Sequence, residues 1–155
     1  GLGDVYKRQV PEYLSKVKAS AFREELKADE VLITADTVVC IHDRILGKPA
    51  DRKEAISMLR ELSGNRHLVV TGVSVTTRTE QLSFSSRTDV FFKHLSNEEI
   101  IFYVDTYKPF DKAGAYGIQE WIGYIGIERI EGSFYNVMGL PIQKLYETLR
   151  KLQFQ

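Results

Sequence analysis

A single cysteine, Cys40, is all that the 155 residues contain. It permits no internal disulfide and no cysteine-based zinc cluster. No apolar run approaches the roughly 20 residues that cross a bilayer, and no charged start leads into an apolar stretch of the kind that directs secretion. A reducing cytoplasm is therefore the expected compartment, with no membrane partner. Charge of one sign is also missing, since 21 Lys and Arg balance 21 Asp and Glu. That balance excludes a uniformly basic nucleic-acid platform and leaves only local pockets of charge. Repeats, low-complexity tracts and the common phosphate-loop, dinucleotide and serine-hydrolase motifs are absent as well. What is present is enough apolar material for one core: 43% hydrophobic residues, with 8 Tyr, 8 Phe and 1 Trp, in a chain of ordinary single-domain size.

Residues 1–9 begin with Gly1 rather than Met and carry neither helical nor strand periodicity. They are read as a foreign or disordered start, with the folded unit beginning near Val10. Pro11 suits a first helical turn, and Leu14, Val17, Ala21, Phe22 and Leu26 follow at helical spacing. Residues 31–42 are β-branched and apolar on both faces, which predicts a buried strand. A turn at Asp43-Arg44 leads to Ile45-Leu46, ended by Gly47-Lys48-Pro49. Asp51 caps a helix that turns Ala55, Ile56, Leu59 and Leu62 inward and stops at Gly64. Two alternating runs around Val69–Val75 and Leu82–Phe92 predict an antiparallel hairpin. Ser96 and Glu99 form a capping box, residues 122–130 read as a strand, and Pro141 opens a last helix with Ile142, Leu145, Tyr146, Leu149 and Leu152 inward. The expectation is an α/β fold in which helices flank a mixed sheet.

Three residues stand where local rules disfavour them. Asp36 interrupts the buried strand on the face of Thr34 and Val38; a carboxylate there needs a cation, a hydrogen bond or a strand end that exposes it. Lys18 lies at i, i+4, i+8 spacing with Leu14 and Phe22, so it either snorkels along its stem or points a cation into a pocket beside the sheet. Lys48 sits on a constrained turn, where a point charge is either solvated or available to a phosphate. The segment Asp111-Lys-Ala-Gly-Ala-Tyr-Gly-Ile-Gln119 adds an acid, a base and an amide in nine residues, which suits reading a base edge. His42, His67 and His94 lack metal-ligand spacing, Cys40 reads as a small core hydrophobe, and Trp121 as a packing anchor.

Taken in order, Lys18-Ala19, Ile33-Thr-Ala-Asp-Thr-Val-Val39, Leu46-Gly-Lys-Pro49, Leu62-Ser-Gly64 with His67, and Thr71-Gly-Val73 form a recognisable set. With Asp111-Lys-Ala-Gly-Ala-Tyr-Gly-Ile-Gln119 and Gly132-Ser-Phe-Tyr-Asn-Val-Met-Gly-Leu-Pro141, the set resembles the Maf family of nucleoside triphosphate pyrophosphatases. The resemblance runs from about Val10 to the C-terminus. It implies a Maf/inosine-triphosphate-pyrophosphatase-like fold, a homodimer, a divalent cation (Mg²⁺ or Mn²⁺), and hydrolysis of a nucleotide to its monophosphate and pyrophosphate. Carried over by motif, Asp36 is the catalytic acid/base and a metal ligand. Lys18 and Lys48 are phosphate or catalytic-site lysines, and Thr37 and Gln119 set substrate specificity. The form of the 111–119 segment resembles the branch that acts on dTTP and UTP rather than on methylated GTP. The family's opening strand and Ser-x-Ser-Pro-Arg-Arg loop have no counterpart, so residues 10–155 are expected to be one domain truncated at its N-terminus. Two other readings stand beside this one: a non-catalytic nucleotide-binding or division-regulating module, and a purine-preferring enzyme of the inosine-triphosphate type.

Overall fold

A computed structural model describes residues 4–152; Gly1, Leu2 and Gly3 of the expected foreign start lie outside the described residues. The elements run α1 (Asp4–Ser20), β1 (Leu32–Ile41), β2 (Arg44–Leu46), α2 (Arg52–Leu62), β3 (Arg66–Thr76), β4 (Gln81–Phe92), α3 (Asn97–Tyr107), α4 (Trp121–Gly126), β5 (Ile127–Glu131), α5 (Phe134–Met138) and α6 (Ile142–Arg150). The five strands form one sheet in the order β2-β1-β3-β4-β5. The α/β architecture with flanking helices is as expected. The sheet is not mixed, however, because each described pairing is antiparallel. Tight turns join β1 to β2 and β3 to β4, and such turns can only connect antiparallel neighbours. The first turn falls at His42-Asp43, both at left-handed φ (50° and 61°), one residue earlier than the expected Asp43-Arg44. Two left-handed central residues match the twist of a two-residue hairpin.

Alternation along the strands divides the core between two faces. On one face Val38, Cys40, Leu68 and Val70 pack with Val10 of α1. Burial pushes the Cys40 thiol up, as suits an inert core residue. On the other face Val39, Val69 and Val90 meet Leu59 and Leu62 of α2 and Ile100 and Tyr103 of α3. Farther along that face Val73 and Val75 meet Leu145 of α6. Helix α2 begins as the sequence predicts, with the Asp51 side chain accepting the Glu54 N–H at 2.8 Å, and the Ser96–Glu99 box closes in both directions at the start of α3. Trp121 packs edge-on against Phe102.

Helix α1 differs from its sequence pattern. It starts at Asp4, upstream of Val10, so Pro11 lies inside it and not in its first turn. The proline has no N–H for the carbonyl four residues back. Leu14, Val17 and Phe22 are exposed, at 36%, 47% and 53%. The buried stripe is Pro11, Ser15 and Ala19 instead. The cause lies on the sheet, where Gly72 of β3 leaves a gap that the helix backbone fills: a Cβ there would overlap the Pro11 carbonyl carbon and the Glu12 nitrogen. Only small residues fit between surfaces so close. Ser15 bridges to Ser74 at 2.7 Å, and its carbonyl accepts the Thr34 hydroxyl at 2.7 Å.

The C-terminal third brings further corrections. Residues 122–130 are not one strand, because α4 occupies the first part and β5 begins at Ile127. The loop after Gly132 contains α5, capped by Ser133. In α6 Leu145 is buried, but Ile142 and Tyr146 are exposed. Helix α6 meets β3 through Leu145, so it buries a narrower stripe than its apolar residues could fill.

His67 of β3 is 1% exposed, stacks on Phe92 and shares a 2.6 Å hydrogen bond with the Tyr116 hydroxyl. Burial pulls its pKa down to about 3, so the folded protein holds the ring neutral. The unfolded chain takes up a proton below pH 6.5 and the folded one does not. Stability is therefore complete above that pH and falls as the pH drops toward the folded value. The loss is about 1.4 kcal/mol per pH unit. Urea titrations at pH 7, 6, 5 and 4 are expected to show a shallower decline in His67→Gln than in the wild type.

Candidate active site

Strand β2 is three residues long and pairs only with Val39–Ile41. On that side the rest of β1 has no strand partner among the described residues. A cavity of about 510 Å³ opens over this free edge, within the usual range for small-molecule sites. Because it wraps an edge, residues from both faces of β1 reach it, and Ala35, Asp36, Thr37, Val38 and Val39 all line it. Helix α1 adds Lys18 from one side, the turn after β2 adds Lys48, the 111–119 segment adds Asp111, Lys112, Tyr116 and Gln119, and the end of α5 adds Met138 and Gly139. The five residues singled out in the sequence, Asp36, Lys18, Lys48, Thr37 and Gln119, thus share one cavity.

Lys18 is the cation that reaches Asp36. Its Nζ donates to Asp36 Oδ1 at 3.0 Å and to the Ala35 carbonyl at 2.9 Å. The pairing answers both questions that the sequence raised: the carboxylate in the strand has a partner, and the lysine is turned toward the sheet edge. Asp36 keeps 23% of its side chain accessible and Lys18 52%, so the pair faces the cavity and is not sealed in the core. A surface-accessible pair of this kind contributes little to stability, which leaves orientation of the carboxylate as its main consequence.

Sequence reasoning passed over Lys112 as a site residue. Its ammonium lies 3.1 Å from Asp111 and 3.4 Å from Glu120. Partial burial lowers its pKa, but the two carboxylates outweigh that and raise it. The same hydrogen bond holds the Asp111 carboxyl below its ordinary range, and the Lys48 charge adds to the effect. Three lysines therefore border the cavity. The loop that carries Lys112 is anchored from behind: the Tyr103 hydroxyl accepts the Gly117 N–H and donates to Glu120, both at 3.1 Å. Burial raises the Tyr103 pKa, so this hydroxyl remains a donor. Gly114 turns the loop at φ +70° directly against Val39. The missed signal was the position of Lys112 beside Asp111 in the one segment already rich in chemistry. Met138 and Gly139 lie in the 132–141 motif, but nothing local shows that it walls the cavity, since its distance from β1 in the chain hides the contact.

A divalent cation is tested by this donor set. Among the described residues no three His, Cys, Asp or Glu side chains cluster, so a cage made wholly of protein is not available. Mg²⁺ is commonly held by one or two carboxylates together with substrate phosphates and waters. Asp36 fits that mode, since Lys18 engages one of its two carboxylate oxygens.

A protein of Bacteroides thetaiotaomicron named dTTP/UTP pyrophosphatase is 57% identical over 149 residues, covering 96% of this chain and 77% of that protein. Proteins of the same name from Porphyromonas gingivalis (57% over 146 residues, 93% of this chain and 73% of the relative) and Parabacteroides distasonis (54% over 142 residues, 92% and 74%) are similarly close. The model of the family described as Maf-like protein matches residues 4–152. By that match and these identities, the chain belongs to the Maf-like family.

Proposed function

We propose that this protein hydrolyses dTTP and UTP to the nucleoside monophosphate and pyrophosphate. The observation that carries the reading is one cavity, opening over a sheet edge, in which the carboxylates Asp36 and Asp111, three lysines and the polar side chains of Thr37 and Gln119 come together. Hydrolysis needs a water in line with the α-phosphorus and relief of charge on the leaving pyrophosphate. Asp36 is oriented by Lys18 and fixed on β1. It accepts the proton of the attacking water as the new P–O bond forms and the α–β P–O bond breaks. The electron pair of that bond leaves with pyrophosphate. Lys48 and Lys112 offset the charge that collects on it as point cations, and Lys18 is placed for an α-phosphate oxygen. Gln119 offers both a donor and an acceptor to a pyrimidine edge, and Thr37 a hydroxyl. Asp36, together with the phosphates, would hold Mg²⁺ or Mn²⁺, which would supply further charge neutralisation.

Two properties complete the proposal. The family resemblance favours a homodimer, which light scattering tests directly. No helix among the described residues is long and apolar enough to cross a membrane. The buried, unpaired Cys40 is compatible with the reducing cytoplasm expected for such an enzyme. Phosphorus NMR of dTTP and UTP incubated with the protein and Mg²⁺ or Mn²⁺ tests the reaction. Equal amounts of monophosphate and pyrophosphate are expected. Release of orthophosphate and a diphosphate would refute the proposed bond, and binding without turnover would favour a non-catalytic module.

A further inference from the structure

Thr37 of β1 and Thr71 of β3 are directly opposite in the antiparallel register, and their hydroxyl oxygens are 2.9 Å apart. Distance alone leaves the direction of that hydrogen bond open. The next link settles it. Thr71 is fully buried, and its Oγ1 lies 3.1 Å from the backbone carbonyl of Asn136. A carbonyl can only accept, so the Thr71 proton belongs between these two oxygens. Turned the other way, it would leave two oxygens face to face at hydrogen-bond distance with no proton between them, in a place closed to water. The carbonyl itself is well fixed. Asn136 is fully buried, its side-chain amide donates to Thr88 at 2.8 Å, and its carbonyl also accepts the Gly139 N–H at 2.9 Å.

With its own proton committed, Thr71 can only accept from Thr37. Thr37 has one proton and spends it there. We propose that Thr71 is a positioning residue that makes the Thr37 hydroxyl a pure acceptor toward the cavity, so that the site selects a nucleotide presenting a hydrogen-bond donor at that point. This deepens the functional reading above and rests on it. In dTTP and UTP two shared groups have that chemistry, the ring N3–H and the sugar 3′-hydroxyl. Cytosine carries no proton on N3, so a ring contact predicts weaker turnover of CTP than of UTP.

The test compares kcat and KM for dTTP, N3-methylthymidine triphosphate and 3′-deoxythymidine triphosphate. Wild type is expected to disfavour one analogue by about tenfold in kcat/KM, the scale of one hydrogen bond, and which one identifies the donor. Thr71→Val offers Thr37 no acceptor and frees its proton. The discrimination is then expected to shrink to about twofold, through KM rather than kcat, while Thr71→Ser restores it. Unchanged discrimination in Thr71→Val, or none against either analogue in wild type, would overturn the proposal. Neutron diffraction of the wild-type protein reads the same network without turnover and without relying on the valine variant to fold. The Thr71 hydroxyl proton is expected on the Asn136 carbonyl; finding it directed at Thr37 would overturn the proposal. Failure to hydrolyse dTTP and UTP themselves would instead refute the functional reading, with the proton position still deciding the direction of the network.

Discussion

Asp36→Asn is expected to lower kcat for pyrophosphate release from dTTP by about 10²- to 10⁴-fold, the range for losing a general base. Asparagine has the same shape, and its amide oxygen can still accept from Lys18 Nζ, which lies 3.0 Å from Oδ1 in the wild type. The fold should therefore persist, with an unchanged circular dichroism spectrum. The loss should appear mainly in kcat, where a missing general base acts, with a smaller rise in KM because Asp36 is also the proposed holder of the phosphate-bound cation. Pyrophosphate release near the wild-type rate would remove Asp36 from the role assigned to it. A loss confined to KM would make it a binding residue only.

Gly72→Ala is expected to cost about 3 kcal/mol of stability, at the upper end of ordinary overpacking. The new methyl would meet the backbone of Pro11 and Glu12, and backbone cannot rotate aside as a side chain can. For a chain of this size that corresponds to roughly 10 °C in Tm. Gly47→Ala serves as the control, because a Cβ there meets nothing within 4 Å, and surface changes of this kind usually stay within about 0.5 kcal/mol. Activity should fall together with stability in Gly72→Ala. Helix α1 carries Lys18, and a helix lifted from β3 draws the Lys18 ammonium away from Asp36. A Gly72→Ala protein that melts with the wild type would show that α1 does not rest on the sheet at this point.

These two glycines look alike in the sequence, and only the fold separates them. The same holds for α1 as a whole. Its apolar residues at helical spacing suggested a face made by Leu14, Val17 and Phe22, yet the helix buries Pro11, Ser15 and Ala19 because β3 offers it a groove fit only for small side chains. Hydrophobic periodicity assumes that the widest apolar stripe faces the core, and close helix–sheet contact breaks that assumption. The strand expected across residues 122–130 failed for a related reason. Its β-branched residues suit either structure, and α4 forms where Gly123 packs against the Ile118 carbonyl, a contact that no local pattern reports.

What could be read from residues alone was whatever acts over a few positions. The caps at Asp51 and Ser96, the β3–β4 hairpin and the misfit of Asp36 in β1 all follow from hydrogen bonds and burial over short stretches of chain, whereas β3, expected to alternate, is buried on both faces from His67 to Thr76 because helices cover both sides of it. Those local misfits, together with ordered motifs, sufficed to single out Asp36, Lys18, Lys48, Thr37 and Gln119. Their meeting was decided by tertiary structure. The shortness of β2 leaves the edge of β1 open, so that residues pointing to opposite faces of one strand enter the same cavity. The direction of the Thr37 hydroxyl likewise depends on Asn136, which lies 65 residues beyond Thr71 in the chain. Hydrogen-bond polarity is passed from group to group through space, and a linear pattern has no means of carrying it.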